Sequence, residues 1–188
     1  MEQQQINDAL AKVQAGDTAA FGPVYDAYIE RIYRFVYYKT HHRPTAEDLT
    51  ADIFMKAFAK IATFDSVKGS FNGWIYQIAR RTIIDHYRSD RPTINIEDAW
   101  DLAADSDTAR DADAAIMVDK LREHLGTLTA DQRDIVVLRV WEGLSHREIA
   151  EALGKSEASC KMAYSRATKN LQDSMGLAAL ILFLLSVR

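Results

Sequence analysis

Four cations gather on one short stretch near the end of the chain. Lys155, Lys161, Arg166 and Lys169 face a single acid, Glu157. Cations at that density neutralise phosphates, and a helix carrying them suits the edge of a DNA major groove. Ser156, Ser159 and Lys161 stand where their donors and acceptors would reach base edges, and Arg166 and Lys169 where they would hold phosphates. A second group, Tyr76, Gln77, Arg80, Arg81 and Arg88, interleaves an aromatic and an amide with guanidiniums. That mixture suits single-stranded nucleic acid, because bases stack on rings while arginines meet phosphates. It equally suits a solvated basic helix end favoured by the helix dipole, and spacing alone leaves both readings standing.

Catalytic chemistry finds no comparable grouping. Asp85-His86 and Glu123-His124 are adjacent pairs, and adjacent side chains on a helix point apart. His41-His42 lack a further ligand at metal spacing. There is no phosphate-cradling glycine loop and no nucleophile motif. The expectation is a protein that binds, with no catalytic residues, no metal and no cofactor.

The basic stretch is positioned by helices whose ends are written locally. In Leu144 to Leu171, LSHREIAEALGKSEASCKMAYSRATKNL, apolar residues Leu144, Ile149, Ala150 and Leu153 recur at helical spacing. Ser145 with Glu148 forms a capping box, Gly154 stops the helix, and Ser156 caps a second one. Two helices joined by a glycine turn make a helix-turn-helix. Before it, Thr129 with Gln132 caps ADQRDIVVLRVWEG, which turns Ile135, Val136 and Leu138 inward. Cys160 is expected to be a small buried residue.

The first half reads as four helices. Ile6 to Ala15 carries a stripe of Ile6, Leu10 and Val13 and ends at Gly16. The next helix, capped by Asp17 or Thr18, runs to about Thr40, with its aromatics as core. Thr45 with Asp48 caps AEDLTADIFMKAFAKIATF, buried along Leu49, Ile53, Ala57, Phe58 and Ile61. Ser70 caps FNGWIYQIARRTIIDHYRSDR, in which Phe71, Trp74, Ile75, Ile78, Ile83 and Ile84 face a core and the basic group lies off that stripe.

Composition bounds the whole. The chain has 188 residues with 48% hydrophobic and 27% charged, and no alternating strand runs, so the fold is expected to be all-α. The net charge of −4 confines any DNA contact to local patches. A single cysteine forbids an internal disulfide and suits a reducing cytoplasm. The polar N-terminus lacks a signal-peptide core. From Ser89 to Asp119 nine acids meet two bases, a net −7, and large side chains are sparse. This reads as an acidic linker, at best partly helical when free. The expected division is a domain over 1–90, a linker over 91–113, a helix-turn-helix domain over 114–173 and an apolar tail over 174–188. Within the tail, Leu177 to Leu185 is too short to span a bilayer and is expected to pack within the protein.

Three blocks in this order, AEDLTADIFMKAF, FNGWIYQIARRTIIDHYR and LTADQRDIVVLRVWEGLSHREIAEALGKSEASCKMAYSRA, with the acidic segment between the last two, resemble a bacterial RNA polymerase sigma factor of the extracytoplasmic-function class. The resemblance covers nearly all of Ala15 to Leu171. It implies that Glu47, Asp48, Asp52 and Phe54 dock on core RNA polymerase. It implies that Lys68, Ser70, Asn72, Tyr76, Gln77, Arg80 and Arg81 capture the melted strand of the minus-ten promoter element. It also implies that Lys155, Ser156, Ser159, Lys161, Tyr164, Ser165 and Arg166 read the minus-thirty-five element as duplex. The implied partners are core RNA polymerase, promoter DNA and an anti-sigma factor, with no direct membrane span. The competing reading is a helix-turn-helix activator acting on duplex DNA, which would share Leu144 to Leu171 but has no need of the arginine-aromatic helix.

Overall fold

A computed structural model describes residues 3–90 and 125–175. Every regular element among them is helical: α1 (Gln3–Gln14), α2 (Phe21–Thr40), α3 (Arg43–Lys60), α4 (Phe71–Asp90), α5 (Ala130–Val140), α6 (His146–Leu153) and α7 (Glu157–Met175), with short 3-10 turns at Thr18–Ala20 and Ile61–Thr63. The acidic linker, residues 114–124 of the helix-turn-helix domain and all but the first two residues of the tail lie outside the described residues.

The helices end where local chemistry says they should, with two exceptions. Both capping boxes form: the Thr129 and Ser145 side chains accept from the backbone N–H of Gln132 and Glu148, and those side chains reach back. Gly154 takes the left-handed conformation at φ 66°, which costs glycine nothing. Gly16, at φ 102°, closes α1 with Asp17 N–H donating to the Lys12 carbonyl at 3.0 Å, the six-to-one bond that satisfies an orphan carbonyl. The cap of α3 is different from expectation. The helix begins at Arg43 with His42 as N-cap, its Nδ1 accepting from Thr45 N–H, and Pro44 in the first turn. Proline at a helix start wastes no donor, so the start lies before Thr45. Nor does Asp17 cap α2 with its side chain; a 3-10 turn leads the chain into Phe21 instead.

The core runs without interruption through both halves of the chain. Ile32, Phe35, Ile53, Phe71 and Ile75 from the first half join Leu138, Leu144, Ile149 and Cys160 from the second in one apolar cluster. The contact is made chiefly by α6 lying along α4. A smaller cluster of Leu125, Leu128, Val136, Ala167 and Leu171 holds α7 on α5. Cys160 is fully buried, and burial pushes its thiol above the ordinary range, away from the reactive thiolate.

Candidate nucleic-acid interface

The start of α4 and the loop before it build a recess. Ser70 is the N-cap: its Oγ accepts from Gly73 N–H at 3.0 Å and its carbonyl from Trp74 N–H at 3.1 Å. This fixes Trp74 beside Phe64, ring centroids 5.5 Å apart, with Phe71 behind them at 5.6 Å from Trp74. The resulting pocket, about 300 Å³, is lined by these two aromatics, Lys68, Ser70, Gly73 and Gln77, and is closed by Glu151 from α6. An aromatic wall beside hydroxyl, amide and ammonium donors can stack a base and hydrogen-bond its edge. Trp74, expected as core alone, is half-buried and forms part of that wall.

The arginine-aromatic group does not converge there as a unit. Lys68 is exposed and pairs with Asp65 at 3.1 Å. Asn72 is half-buried, its Oδ1 accepting from the Tyr28 hydroxyl at 2.5 Å and its Nδ2 donating to Glu148 at 2.6 Å. Burial lifts the Tyr28 hydroxyl to about 12, so it remains a donor. Tyr76 corrects the expectation that it lies off the apolar stripe: it is fully buried, edge-on to Phe35 at 5.3 Å, and its hydroxyl donates to Glu142 at 2.7 Å. Burial first, and the Glu142 charge second, push that hydroxyl well above its usual range. Gln77 donates to the Glu151 carbonyl at 3.3 Å. Arg80 stands 3.8 Å from Asp134, while Arg81 is exposed.

The helix-turn-helix presents a more open face. Lys161, Ser165 and Arg166 on α7 are exposed. Ser156 Oγ accepts from Ser159 N–H at 3.1 Å, the cap expected of it. Lys155 pairs with Asp131 at 2.5 Å and Lys161 with Glu157 at 2.7 Å. Tyr164 is half-buried and packs on His146, centroids 5.4 Å apart, which withdraws much of it from solvent. His146 is held below its usual pKa by desolvation and then by the Arg139 and Lys161 charges, so it is neutral at pH 7.

A third face lies on α2 and α3. Glu47 and Asp48 are exposed and Asp52 is half-exposed; Glu47 pairs with Arg43 and Asp52 with Lys56, each at 2.8 Å. Phe54 corrects the expectation of a contact residue: it is buried, edge-on to Tyr25 at 4.8 Å. The large apolar groups that reach solvent here are Tyr25, Met55 and Phe58. Of the expected stripe, Leu49, Ile53, Ala57 and Ile61 are buried, while Phe58 at its edge is partly exposed and packs edge-on to Phe21 at 5.2 Å. Beside them a groove of about 300 Å³ runs between the helices past Ile29, Tyr33, Glu47 and Ala51.

Sequence reasoning missed the most deeply buried charges. Glu142, just beyond α5, has its carboxylate between Arg31 and Arg34 of α2, at 3.6 and 3.2 Å, with a side chain only 1% exposed. Asp134 is buried against Lys39. Their only sequence signal is an acid amid the apolar residues of α5 and its end. Among the described residues no helix is long and apolar enough to cross a membrane, and no three His, Cys, Asp or Glu side chains are grouped to hold a metal.

Comparisons with known proteins place the chain in a family. Residues 24–93 match the model of Sigma-70 region 2 and residues 119–171 that of Sigma-70 region 4. The first match covers a part that a simple helix-turn-helix activator does not need. The ECF RNA polymerase sigma factor BldN of Streptomyces coelicolor is 32% identical over 174 residues, covering 89% of this chain and 64% of BldN. The ECF sigma factor SigK of Mycobacterium tuberculosis is 31% identical, covering 89% of this chain and 92% of SigK. The sigma factor YlaC of Bacillus subtilis is 30% identical, covering 81% and 90%. The fold is that of CnrH, solved in complex with the cytosolic domain of CnrY (TM-score 0.68, 21% identity, 93% of this chain and 97% of that one). It is also that of RpoE of Bartonella quintana, solved with the anti-sigma factor NepR (TM-score 0.64, 23% identity, 84% and 97%). With both sigma regions in order and relatives matched along most of their length, the chain belongs to the extracytoplasmic-function sigma factors of RNA polymerase.

Proposed function

We propose that this sigma factor works through three surfaces on two domains, 1–90 and 114–173, joined by the acidic segment 91–113. The α2–α3 face, with Glu47, Asp48 and Asp52 around the apolar Tyr25, Met55 and Phe58, docks on core RNA polymerase. The recess of Phe64, Trp74, Lys68, Ser70 and Gln77 takes a base from the melted minus-ten strand. Lys161, Ser165 and Arg166 of α7 enter the minus-thirty-five duplex. The protein recruits and positions; bond-making belongs to the polymerase. It acts in the cytoplasm, at the nucleoid when active, and an anti-sigma factor restrains it, as NepR binds RpoE of Bartonella quintana.

The observation that carries this reading is the pocket before α4. Two aromatic rings and several donors surround a space of about 300 Å³, and an extruded base needs that combination. The decisive experiment is co-purification with bacterial core RNA polymerase followed by transcription from a promoter library. Initiation from promoters sharing two elements at fixed spacing is expected. Failure to bind core polymerase, with duplex binding retained, would return the chain to the activator class.

A further inference from the structure

A side chain at the end of α1 ties down the loop that leads into α4. Gln14, the last residue of α1, donates through Nε2 to the Ile61 carbonyl at 2.9 Å and to the Phe64 carbonyl at 2.7 Å. These acceptors lie 47 and 50 residues further along the chain. Among the described residues the other hydrogen bonds within 61–69 are local. Phe64 N–H donates to the Ile61 carbonyl at 3.0 Å, the Thr63 hydroxyl to the Lys60 carbonyl at 2.7 Å, and Val67 N–H to Asp65 Oδ1 at 2.9 Å.

The bonded segment is one wall of the pocket. Phe64 and Thr63, which lies between the two accepting carbonyls, both line it. The Phe64 ring is buried, 5.5 Å from Phe71 and 5.5 Å from Trp74. Its backbone leaves the 3-10 turn extended, at φ −72° and ψ 132°. Fixing the Phe64 carbonyl fixes the planar peptide that follows, and with it the direction in which the loop departs toward Lys68 and Ser70. A primary amide has two N–H groups, one for each carbonyl. Gln14 is itself exposed, and the core contacts of α1 are made by Ile6, Leu10 and Val13. Its bonds therefore orient the loop without filling the interior. The residue also precedes 24–93, the stretch that matches Sigma-70 region 2.

We infer that Gln14 is a positioning residue for strand capture. Its two bonds hold the 61–64 wall where Phe64 and Trp74 can receive an extruded base, so α1 sets the affinity for melted strand and leaves duplex reading to α7. A wall held in place before the base arrives need not be ordered on binding, and that preorganisation appears as affinity. The inference rests on the reading of the pocket as the minus-ten site.

The test uses the full chain assembled with bacterial core RNA polymerase. The probe is a promoter fragment recovered from the library, made once as full duplex and once with the minus-ten element mismatched into a bubble. 2-Aminopurine replaces adenine in the unpaired strand, and its fluorescence falls when it stacks on an aromatic ring. Gln14→Met keeps the length, the neutral charge and the helix propensity but has no donor; Gln14→Lys restores donors. Wild type should quench the bubble probe. Gln14→Met should lose part of that quench, and its bubble-to-duplex affinity ratio should fall about three- to tenfold, the usual worth of a hydrogen bond. Its core-polymerase binding should be unchanged, and Gln14→Lys should recover both readouts. An unchanged ratio in Gln14→Met, an equal loss on bubble and duplex with a lower melting temperature, or a loss that Gln14→Lys does not recover would overturn the positioning role while the pocket reading stands. No quench by wild type would overturn both.

Discussion

Gly73 on α4 and Glu151 on α6 stand so close that a single methyl group on Gly73 would sit 2.5 Å from Glu151 Oε2. Seventy-odd residues separate them in sequence, and their approach decides whether the two sigma regions share one core. Gly73→Ala has opposite consequences in the two possible arrangements. With the halves apart, alanine would stabilise α4 by up to about 1 kcal/mol through helix propensity. With them packed as here, the overlap with Glu151 and the Glu148 carbonyl should cost about 1–3 kcal/mol. Thermal unfolding of the full chain measures the sign, and destabilisation is expected.

The α2–α3 face separates contact from support. Asp48→Arg should abolish co-purification with core polymerase while leaving the melting temperature unchanged, because Asp48 is exposed. Phe54→Ala should instead destabilise the fold by about 3–5 kcal/mol, the usual cost of emptying a buried aromatic site. Phe58→Ala should weaken polymerase binding with little change in stability. Equal loss of stability in all three would remove this face as a docking surface.

On α7, Lys161→Ala should weaken binding to minus-thirty-five duplex by roughly tenfold and lower the salt dependence by about one counterion. Its partner Glu157 lies one turn away at 2.7 Å on the surface, so folding should not change. A titration of duplex affinity against salt checks this. An unaltered slope would show that Lys161 points away from the phosphates and bases.

Glu148 links the interface to pH. Burial raises its pKa, but hydrogen bonds from Asn72 and from the Ser145 N–H and hydroxyl outweigh that and hold it below the ordinary 4.5. A depressed carboxylate contributes stability that is fully present above its unfolded value and lost as pH falls through the folded one. Thermal stability of the chain should therefore hold from pH 7 to about 4.5 and decline below it. Glu148→Gln should remove that acid-linked part of the decline, and an unchanged profile would detach Glu148 from the packing of α6 on α4.

What the amino-acid sequence determined by itself is the set of relations that span three or four residues. The capping boxes at Thr129 and Ser145, the glycine stops at Gly16 and Gly154, and the stripe of Ile6, Leu10 and Val13 are settled within one or two helical turns. Such contacts depend on little but local geometry, which is why the all-helical fold and the helix-turn-helix were legible. The two sigma regions were legible too, because their motifs run along single helices. The tertiary structure alone decided which side of a mixed helix faces inward. Tyr76 and Phe54 are large amphipathic or apolar groups that would suit either surface; burial against Phe35 and Tyr25 became visible only once α2 was packed across α4 and α3. Glu142, Glu148 and Glu151 read locally as ordinary acids near helix ends. Their bonds to Arg34, Asn72 and Ser70 cross 108, 76 and 81 residues of chain. No periodicity reports so distant a pairing, because it is set by how two preformed helices dock and by the need of a buried carboxylate for donors.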